Sequence, residues 1–371
     1  MRKGLLAIVI LALLLSQSAS AASYPITISY GRSWPLSIVV DSARGLIYVD
    51  STSGENPPVG FTFGVINATS HSLLRAFPLD EFPGPVALDQ ATGDVYVAGA
   101  GNDSIYVFNA TGAIGVLGTS GHQILGMTYD GSVSSDIFFT SGSSVFALDP
   151  GTSEVVRNAT VPGGPNLMVL DPANGMLYVS EYLSAEIAVL NPTTLAPVSA
   201  ITLPACCADQ MAVNPGTQTL YASTGTNVVD IVNAATGEFE KSVQVTQSSQ
   251  NSTGPIAVDN ETNRVYVGSS PGGSIVELDG SSGAVVGRFL VQSQVAGLAV
   301  DSRTQVLYAT NYHQVTGFDA ARTRSYRILI VGLAIVIGAI GLITVYVLLK
   351  RKDERERMKV QPGYPGSSVS K

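Results

Sequence analysis

The chain has 371 residues, of which 45% are hydrophobic and only 13% are charged, and its formal net charge is −8. A chain of this length and apolar content can bury a large core. Residues 22–326 contain ten basic and 25 acidic residues, a net charge of about −15. Because an acidic surface repels phosphate backbones, this balance argues against nucleic acid as a partner.

The amino terminus has the pattern of a secretory signal peptide. Arg2 and Lys3 precede an apolar run from Leu5 to Leu15, and the small residues Ser18 to Ala21 follow. This run is too short to span a bilayer, so we predict a signal peptide over residues 1–21 that is cleaved after Ala21. The remainder of the chain is then exported.

A hairpin unit recurs along the body of the chain, and residues 255–267 are a representative copy. In each copy an apolar run ends in an acidic or amide residue, a polar turn follows, and a second apolar run carries an aromatic residue. The acidic or amide position occurs seven times, 41 to 48 residues apart, at Asp41, Asp89, Asp130, Asp171, Asn214, Asp259 and Asp301. The aromatic position follows at Tyr48, Tyr96, Phe138, Tyr178, Tyr221, Tyr266 and Tyr308. This period and strand pattern predict an all-β, seven-bladed β-propeller over residues 22–326.

The two ends of the repeat region predict how the ring closes. The seventh repeat has three strand-like runs and no fourth. Residues 26–30 precede the first inner strand, as an outer strand precedes it in the other repeats. We therefore predict that residues 26–30 complete the seventh blade beside residues 315–318, which leaves no open sheet edge between the first and last blades.

The repeats resemble the YVTN-repeat β-propellers of bacterial and archaeal envelopes, which are similar to NHL-type propellers. The residues that carry this resemblance are the Asp-turn-Val-Tyr-Val units and segments such as residues 98–112. Residues 308–311, Tyr-Ala-Thr-Asn, come nearest to the tetrapeptide that names the family. The resemblance implies a secreted or surface binding scaffold and no defined reaction.

Few residues suggest catalysis or cofactor binding. His71, His122 and His313 lie in different repeats, with no metal-ligand spacing between them. The repeated acids are explained as turn formers, because Asp and Asn side chains accept hydrogen bonds from the backbone of tight turns. We therefore predict no catalytic residue, no cofactor and no metal site.

The chain's two cysteines, Cys206 and Cys207, are adjacent and lie between an outer strand and the next inner strand. In an exported protein, three states are open for this pair: a vicinal disulfide that lines a binding surface, two free buried thiols, or a link between molecules.

Six Asn-x-Ser/Thr sequons provide candidate glycosylation sites. They begin at Asn67, Asn102, Asn109, Asn158, Asn251 and Asn260. We expect those on the surface to carry glycan if the source organism glycosylates exported proteins.

The carboxyl-terminal part predicts a membrane anchor. Residues 328–349 contain no charged residue, a length that crosses a bilayer, and Lys350, Arg351 and Lys352 follow. We predict a transmembrane helix over residues 327–349 and a cytoplasmic tail over residues 350–371, with the propeller outside the cell.

These features together predict a single-pass cell-surface propeller that acts as a non-catalytic binding scaffold for an extracellular protein or glycan; the oligomeric state stays open. We expect the binding face to comprise the loops around Trp34 and over residues 83–85, 163–166, 206–209 and 251–255, together with neighbouring strand-to-strand loops. The candidate binding residues in these loops are Trp34, Asn102, Asn166, Tyr182, Cys206, Cys207, Asp209 and Tyr312. Two rival interpretations are an envelope enzyme resembling propeller lactonases or quinoprotein dehydrogenases, and a structural component of a surface layer.

Overall fold

A computed structural model of the chain contains seven four-stranded antiparallel sheets, which confirms the predicted all-β, seven-bladed propeller. The chain divides into two compact units, one of residues 23–321 and the other of residues 1–22 and 322–371. The structure describes residues 26–29, 33–53, 60–101, 103–246, 252–270, 273–291, 293–311, 314–321, 337–352 and 355.

The strands are numbered in chain order, and each blade contributes an inner, a second, a third and an outer strand. The inner strands are β2 (Ser33–Asp41), β6 (Pro83–Leu88), β10 (Gly126–Tyr129), β14 (Pro165–Asp171), β18 (Gln210–Asn214), β22 (Ser252–Asp259) and β26 (Gly297–Asp301). The second strands are β3 (Leu46–Ser53), β7 (Val95–Gly99), β11 (Ile137–Ser141), β15 (Met176–Glu181), β19 (Thr219–Ser223), β23 (Arg264–Ser270) and β27 (Val306–Asn311).

The third and outer strands complete each sheet. The third strands are β4 (Phe61–Asn67), β8 (Ser104–Phe108), β12 (Ser144–Asp149), β16 (Glu186–Leu190), β20 (Val228–Asn233), β24 (Ser274–Asp279) and β28 (Gln314–Asp319). The outer strands are β5 (Leu73–Leu79), β9 (Ala113–Gly118), β13 (Glu154–Thr160), β17 (Pro197–Thr202), β21 (Glu238–Gln244), β25 (Val285–Leu290) and, for blade 7, β1 (Ile26–Ser29).

The ring closes through the two ends of the repeat region, as predicted. Strand β1 pairs antiparallel with β28, and Ile26 lies opposite Gly317 while Ser29 lies opposite Gln314. Blade 7 is therefore assembled from both ends of the propeller sequence.

The repeated acidic or amide residue forms the turn between the inner and second strands of every blade. Each of these seven side chains is buried, and its oxygen accepts a hydrogen bond from a backbone N–H two or three residues later. Asp171, for example, accepts from the backbone of Ala173 at 2.9 Å. The turn interpretation of these acids is therefore confirmed. Their side chains are buried because they accept hydrogen bonds from the backbone of the turn.

In three blades the repeated tyrosine joins the blade to the next one. Tyr178, Tyr221 and Tyr308 are buried, and their hydroxyls donate to backbone carbonyls of the following blade, those of Ala234, Gly280 and Ala68. Seven apolar clusters lie in the seven spaces between neighbouring blades. The core of the described propeller is thus a set of layers between sheets, which explains why strands are apolar on both faces.

The inner strands are longer than the sequence predicted, and this corrects the position of two candidate residues. Segments 83–85 and 163–166 were predicted as loops, but β6 begins at Pro83 and β14 at Pro165. Both strands contain a β-bulge directly after the proline, where a missing N–H is tolerated. Trp34 and Asn166 consequently lie on strands β2 and β14 and not in loops.

Outside the propeller, residues 337–352 are helical. They overlap the predicted anchor 327–349, whereas residues 322–336 lie outside the described part of the chain. Within the described residues, no helix combines the length and the apolar content needed to cross a membrane. The predicted signal peptide, residues 1–21, also lies outside the described residues.

Candidate functional site

The two faces of the ring are built from different kinds of chain segment. One face, the turn face, carries the hairpin turns between the first and second strands and between the third and outer strands. The opposite face, the connector face, carries the segments that join one blade to the next and the loops between second and third strands. The sequence-predicted binding residues that the structure describes belong to the connector face or to the strand ends that border it.

Two adjacent, strongly exposed apolar side chains on the described connector face lie in blade 4. Tyr182 is 50% exposed and Leu183 is 68% exposed, in the loop between β15 and β16. Their backbone N–H groups donate to the carbonyls of Gly164 and Gly163, both at 2.9 Å. The loop is therefore held rigidly while it presents an aromatic and an aliphatic side chain to solvent.

Both glycines are required by this arrangement. A Cβ atom on Gly164, whose φ is +75°, would lie 2.6 Å from the ring of Tyr182. A Cβ on Gly163 would collide with the carboxylate of Glu181. The Tyr182 ring thus lies against the Gly164 backbone, and the glycine pair sets its orientation.

Cys206 and Cys207 lie on the other side of the same loop. In the structure their sulfur atoms are bonded to each other across a cis peptide bond. The Sγ atom of Cys206 is 3.3 Å from the carbonyl oxygen of Ser184, and that of Cys207 is 3.2 Å from the carbonyl oxygen of Tyr182. A disulfide sulfur has no proton to donate, but in a reduced pair each thiol would find an acceptor in these carbonyls. Cys206 is exposed and Cys207 is half-buried.

We call Gly163, Gly164, residues 181–184, Cys206 and Cys207 the blade 4 patch. Within the patch, Glu181 is buried and accepts a 2.5 Å hydrogen bond from the hydroxyl of Ser184. Asp209 follows the cysteines, and its carboxylate lies over Gly225 in blade 5, where partial burial raises the pKa of Asp209 above its usual value. The patch is therefore an apolar surface that is bordered by the exposed carboxylate of Asp209, which can accept hydrogen bonds.

The structure brings together only some of the sequence-predicted site residues. Tyr182, Cys206 and Cys207 are in contact, and Asp209 is two residues away. Trp34 is half-buried on the inner strand of blade 1, and Asn166 is half-buried on that of blade 4. Asn102 and Tyr312 lie outside the described residues. Leu183, Glu181 and Ser184 were missed, because no turn or repeat signal marks them in the sequence.

The inner strands surround a central channel. Each inner strand is hydrogen-bonded on one side only, and residues of all seven line a cavity of about 350 Å³. Met127, Met168 and Met211 border this channel at equivalent positions of three consecutive blades. They also belong to, or pack against, the apolar layers between blades, so we interpret them as core residues.

One fully buried carboxylate stands beside this channel. Asp50, on β3, accepts a 2.8 Å hydrogen bond at Oδ1 from the backbone N–H of Ser37, and its Oδ2 atom has no hydrogen-bond partner. Burial raises the pKa of Asp50 from 3.8 to about 7. The other blades have small or hydroxyl residues at this position, namely Ala98, Thr140, Ser180, Ser223, Gly268 and Thr310.

The hydroxyls at that position show what Asp50 replaces. Thr140, Ser223 and Thr310 donate to a backbone carbonyl on the inner strand of the next blade, at 2.5 to 3.0 Å. An ionised carboxylate cannot donate, so only a protonated Asp50 has a proton to offer there. Asp50 is therefore an exception among the blades: when its carboxyl group is ionised, it cannot donate the hydrogen bond that Thr140, Ser223 and Thr310 make to the next blade.

The described part of the chain also bears on metal binding and on the sequons. No group of three or more His, Cys, Asp or Glu residues there could hold a metal ion. Among the sequons, Asn158 and Asn260 are exposed, whereas Asn67 and Asn109 are partly buried and use their side-chain oxygens in turns. Asn102 and Asn251 lie outside the described residues.

Comparison with known proteins supports the fold and leaves the family open. No family model matches the chain, and no curated protein matches it. The hydrazine synthase structure from Kuenenia stuttgartiensis is similar, with a TM-score of 0.66, 14% sequence identity, and coverage of 78% of this chain and 97% of that one. At this identity the likeness shows the propeller fold alone.

Proposed function

We propose that this chain is a single-span cell-surface protein of the YVTN-repeat type, whose propeller lies outside the cell and binds an extracellular protein or glycan without catalysing a reaction. The export signal over residues 1–21 and the uncharged segment 328–349 support this location. The repeat period and turn chemistry support the YVTN-repeat assignment.

The observation that carries the proposal is the blade 4 patch. A single exposed apolar side chain is common on protein surfaces and needs no explanation. Here, however, Tyr182 and Leu183 are adjacent and exposed, and the backbone of their loop is held by two hydrogen bonds. A surface that is already ordered loses little conformational entropy when a ligand binds. The exposed ring of Tyr182 suits stacking on an apolar or sugar surface, and Asp209 suits hydrogen bonding to hydroxyl or amide groups.

The proposal is tested with the full-length chain displayed on cells. Surface ligands are captured by chemical cross-linking and on a glycan array, for the wild type and for Leu183→Ser. We expect Leu183→Ser to lower the captured signal at least about tenfold, as is typical of a central contact in an interface. Val133→Ser is the matched control, because Val133 is 57% exposed on the turn face.

Two outcomes would contradict the proposal. Equal capture by wild type and Leu183→Ser would show that the patch takes no part in binding. A bound metal or quinone in the purified chain would favour the enzymatic alternative. The orientation is tested separately, since protease added to intact cells should remove the propeller and leave a tag at residue 371 intact.

The state of the cysteines is measured on the same protein without reductant. A thiol count of zero with a monomeric chain identifies the vicinal disulfide, and a count of two per chain identifies free thiols. Covalent dimers identify a link between molecules.

A further inference from the structure

The net charge of the propeller is confined to one side of the ring. Residues 76–240 contain 16 acidic residues and one basic residue, Arg157, which leaves a net charge of −15. Residues 22–75 and 241–326 together contain nine acidic and nine basic residues and are neutral as a set. Blades 6, 7 and 1 follow one another around the ring. The propeller therefore has a neutral side and an acidic side, and the acidic side consists of blades 2–5 and the connectors that border them.

The asymmetry comes from the distribution of basic side chains. In blades 1, 6 and 7 an arginine pairs with an acid at a hairpin turn of its own blade, as Arg44 does with Asp41 at 3.0 Å. Among the described residues of blades 2–5, the one ion pair joins Arg157 to Asp136. Lys241, which follows the acidic stretch, donates to a carbonyl of blade 6. Most carboxylates on the acidic side are thus not paired with a basic side chain of the described chain.

Part of this negative charge is exposed to solvent. The exposed carboxylates on the acidic side are Asp80, Glu154, Asp209, Glu238 and Glu240. Asp209 borders the blade 4 patch. Partial burial raises the pKa of Asp209, and no lysine or arginine of the described chain lowers it. A positive charge that a ligand brings close to Asp209 would therefore stabilise the ionised carboxylate.

The blade 4 patch lies within the acidic side. Residues 158–240, which include the whole patch, contain no lysine, arginine or histidine. The electric field of such a surface attracts cationic ligands and repels acidic glycans, anionic lipids and nucleic acids. It also opposes the binding of a second copy of this chain through the same side of the ring. The charge around the patch therefore favours a positively charged ligand.

The side chains of the patch narrow the class of cation. The exposed part of the Tyr182 ring can contact a guanidinium or ammonium group, and Leu183 can contact the aliphatic stem of a lysine or arginine. A metal ion would use neither side chain, and no group of three or more His, Cys, Asp or Glu in the described chain could hold one. A basic polypeptide, in contrast, uses the apolar surface and the neighbouring carboxylate together.

From these observations we infer that the partner of the blade 4 patch is a protein that presents a segment rich in lysine and arginine. The inference rests on the proposed function, which assigns binding to this patch. The acidic side of the ring speeds the approach of the basic segment, and Asp209 pairs with one of its positive charges. Tyr182 and Leu183 contact the stems of its side chains. A neutral glycan would gain nothing from the charge.

The first test measures the binding of three labelled peptides to the full-length chain in phosphatidylcholine nanodiscs. The peptides share a background of glycine and leucine and carry arginine, glutamine or glutamate at the same positions. We expect the arginine peptide to bind at least about tenfold more tightly than the glutamine peptide, and the glutamate peptide not to bind. The affinity of the arginine peptide should fall at least about tenfold between about 0.05 M and about 0.5 M salt. Equal binding of the arginine and glutamine peptides would overturn the inference.

The second test locates the contact with charge variants. We expect Asp209→Asn to weaken binding of the arginine peptide about threefold and Asp209→Lys at least about tenfold. Glu261→Gln and Glu261→Lys are the matched controls, because Glu261 is an exposed carboxylate on the turn face of blade 6 and the changes in net charge are the same. All four variants should unfold within a few degrees of the wild type. Equal losses at the two positions would show a response to net charge alone and would overturn the inference.

Leu183→Ser distinguishes this inference from the proposed function. A loss of binding for both the arginine peptide and the ligand captured from the cell surface supports the two together. A captured ligand that depends on Leu183 but is a neutral or acidic glycan would leave the proposed function in place and overturn the inference. Unchanged binding of both ligands would overturn the proposed function, and the inference with it.

Discussion

The turn face and the connector face of this propeller follow different rules. On the turn face the same buried acid or amide recurs in all seven blades and is occupied by backbone hydrogen bonds of its own turn. On the described connector face, the blade 4 patch has Leu183 and the two cysteines, whose repeat positions hold other residue types in the other blades, whereas Tyr182 has a counterpart in the sequence at Tyr312. A residue that every blade repeats serves the fold, so function is best sought where one blade departs from its neighbours.

We expect the largest effect on the free energy of unfolding at Asp50, because blade 1 has a buried acid where the other blades have a small or hydroxyl residue. We expect Asp50→Thr, which restores the hydroxyl of Thr140 and Thr310, to increase the free energy of unfolding at pH 8. The gain has an upper limit of about 4 kcal/mol, from a pKa raised from 3.8 to about 7. Chemical denaturation at several pH values measures it.

The direction of the pH dependence follows from the raised pKa. The folded protein holds the proton of Asp50 more tightly than the unfolded chain, so the contribution of Asp50 is most favourable below about pH 4. It declines as pH rises to about 7, because the unfolded carboxyl ionises first. Asp50→Asn should remove this decline. If the wild type and Asp50→Asn lose stability in parallel over this range, Asp50 does not titrate as described.

A smaller change in the free energy of unfolding is expected when one acid from each face is replaced by alanine. Asp171 is buried on the turn face and accepts hydrogen bonds from the backbone of Ala173 and the side chain of Gln218. Asp171→Ala leaves both donors without their acceptor, and we expect it to cost about 2 to 3 kcal/mol. Asp209→Ala, on the connector face, should change the free energy of unfolding by less than about 0.5 kcal/mol. Similar losses for the two variants would break the distinction between the faces.

The smallest expected difference in stability is between phenylalanine variants of two buried tyrosines at the same repeat position. The hydroxyl of Tyr308 donates to Ala68 and joins blade 7 to blade 1, whereas the hydroxyl of Tyr48 has no hydrogen-bond partner. We expect Tyr308→Phe to destabilise by about 1 kcal/mol and Tyr48→Phe to be neutral or slightly stabilising. Thermal unfolding of the two variants gives the comparison, and the reverse order would show that the hydroxyl bond does not stabilise the ring closure.

Much of the fold could be predicted from the sequence because its signals are local. The Asp or Asn turn and the following aromatic fix the hairpin of each blade within a few residues, and their sevenfold recurrence gives the blade number. Closure by residues 26–30 followed from the missing fourth strand of the last repeat. The starts of β6 and β14 were misjudged, since Pro83 and Pro165 read as loop residues until the bulges that accommodate them are seen.

The candidate site was less predictable because its geometry depends on contacts between blades. The cysteine pair and Tyr182 stood out by residue type. The exposure of Leu183 and the burial of Glu181 depend on Gly163 and Gly164, which lie in a different segment and whose missing side chains leave room for the loop. Asp50 could have been found by aligning the seven repeats, because it is the one acid at a position of small and hydroxyl residues.

The most direct test of the account is the affinity of the full-length chain for whichever glycan or surface protein it captures, measured for Leu183→Ser and Val133→Ser side by side. The account predicts that Leu183→Ser weakens binding at least about tenfold while Val133→Ser binds as the wild type does. Wild-type affinity in Leu183→Ser, or an equal loss in Val133→Ser, would contradict the assignment of binding to the blade 4 patch.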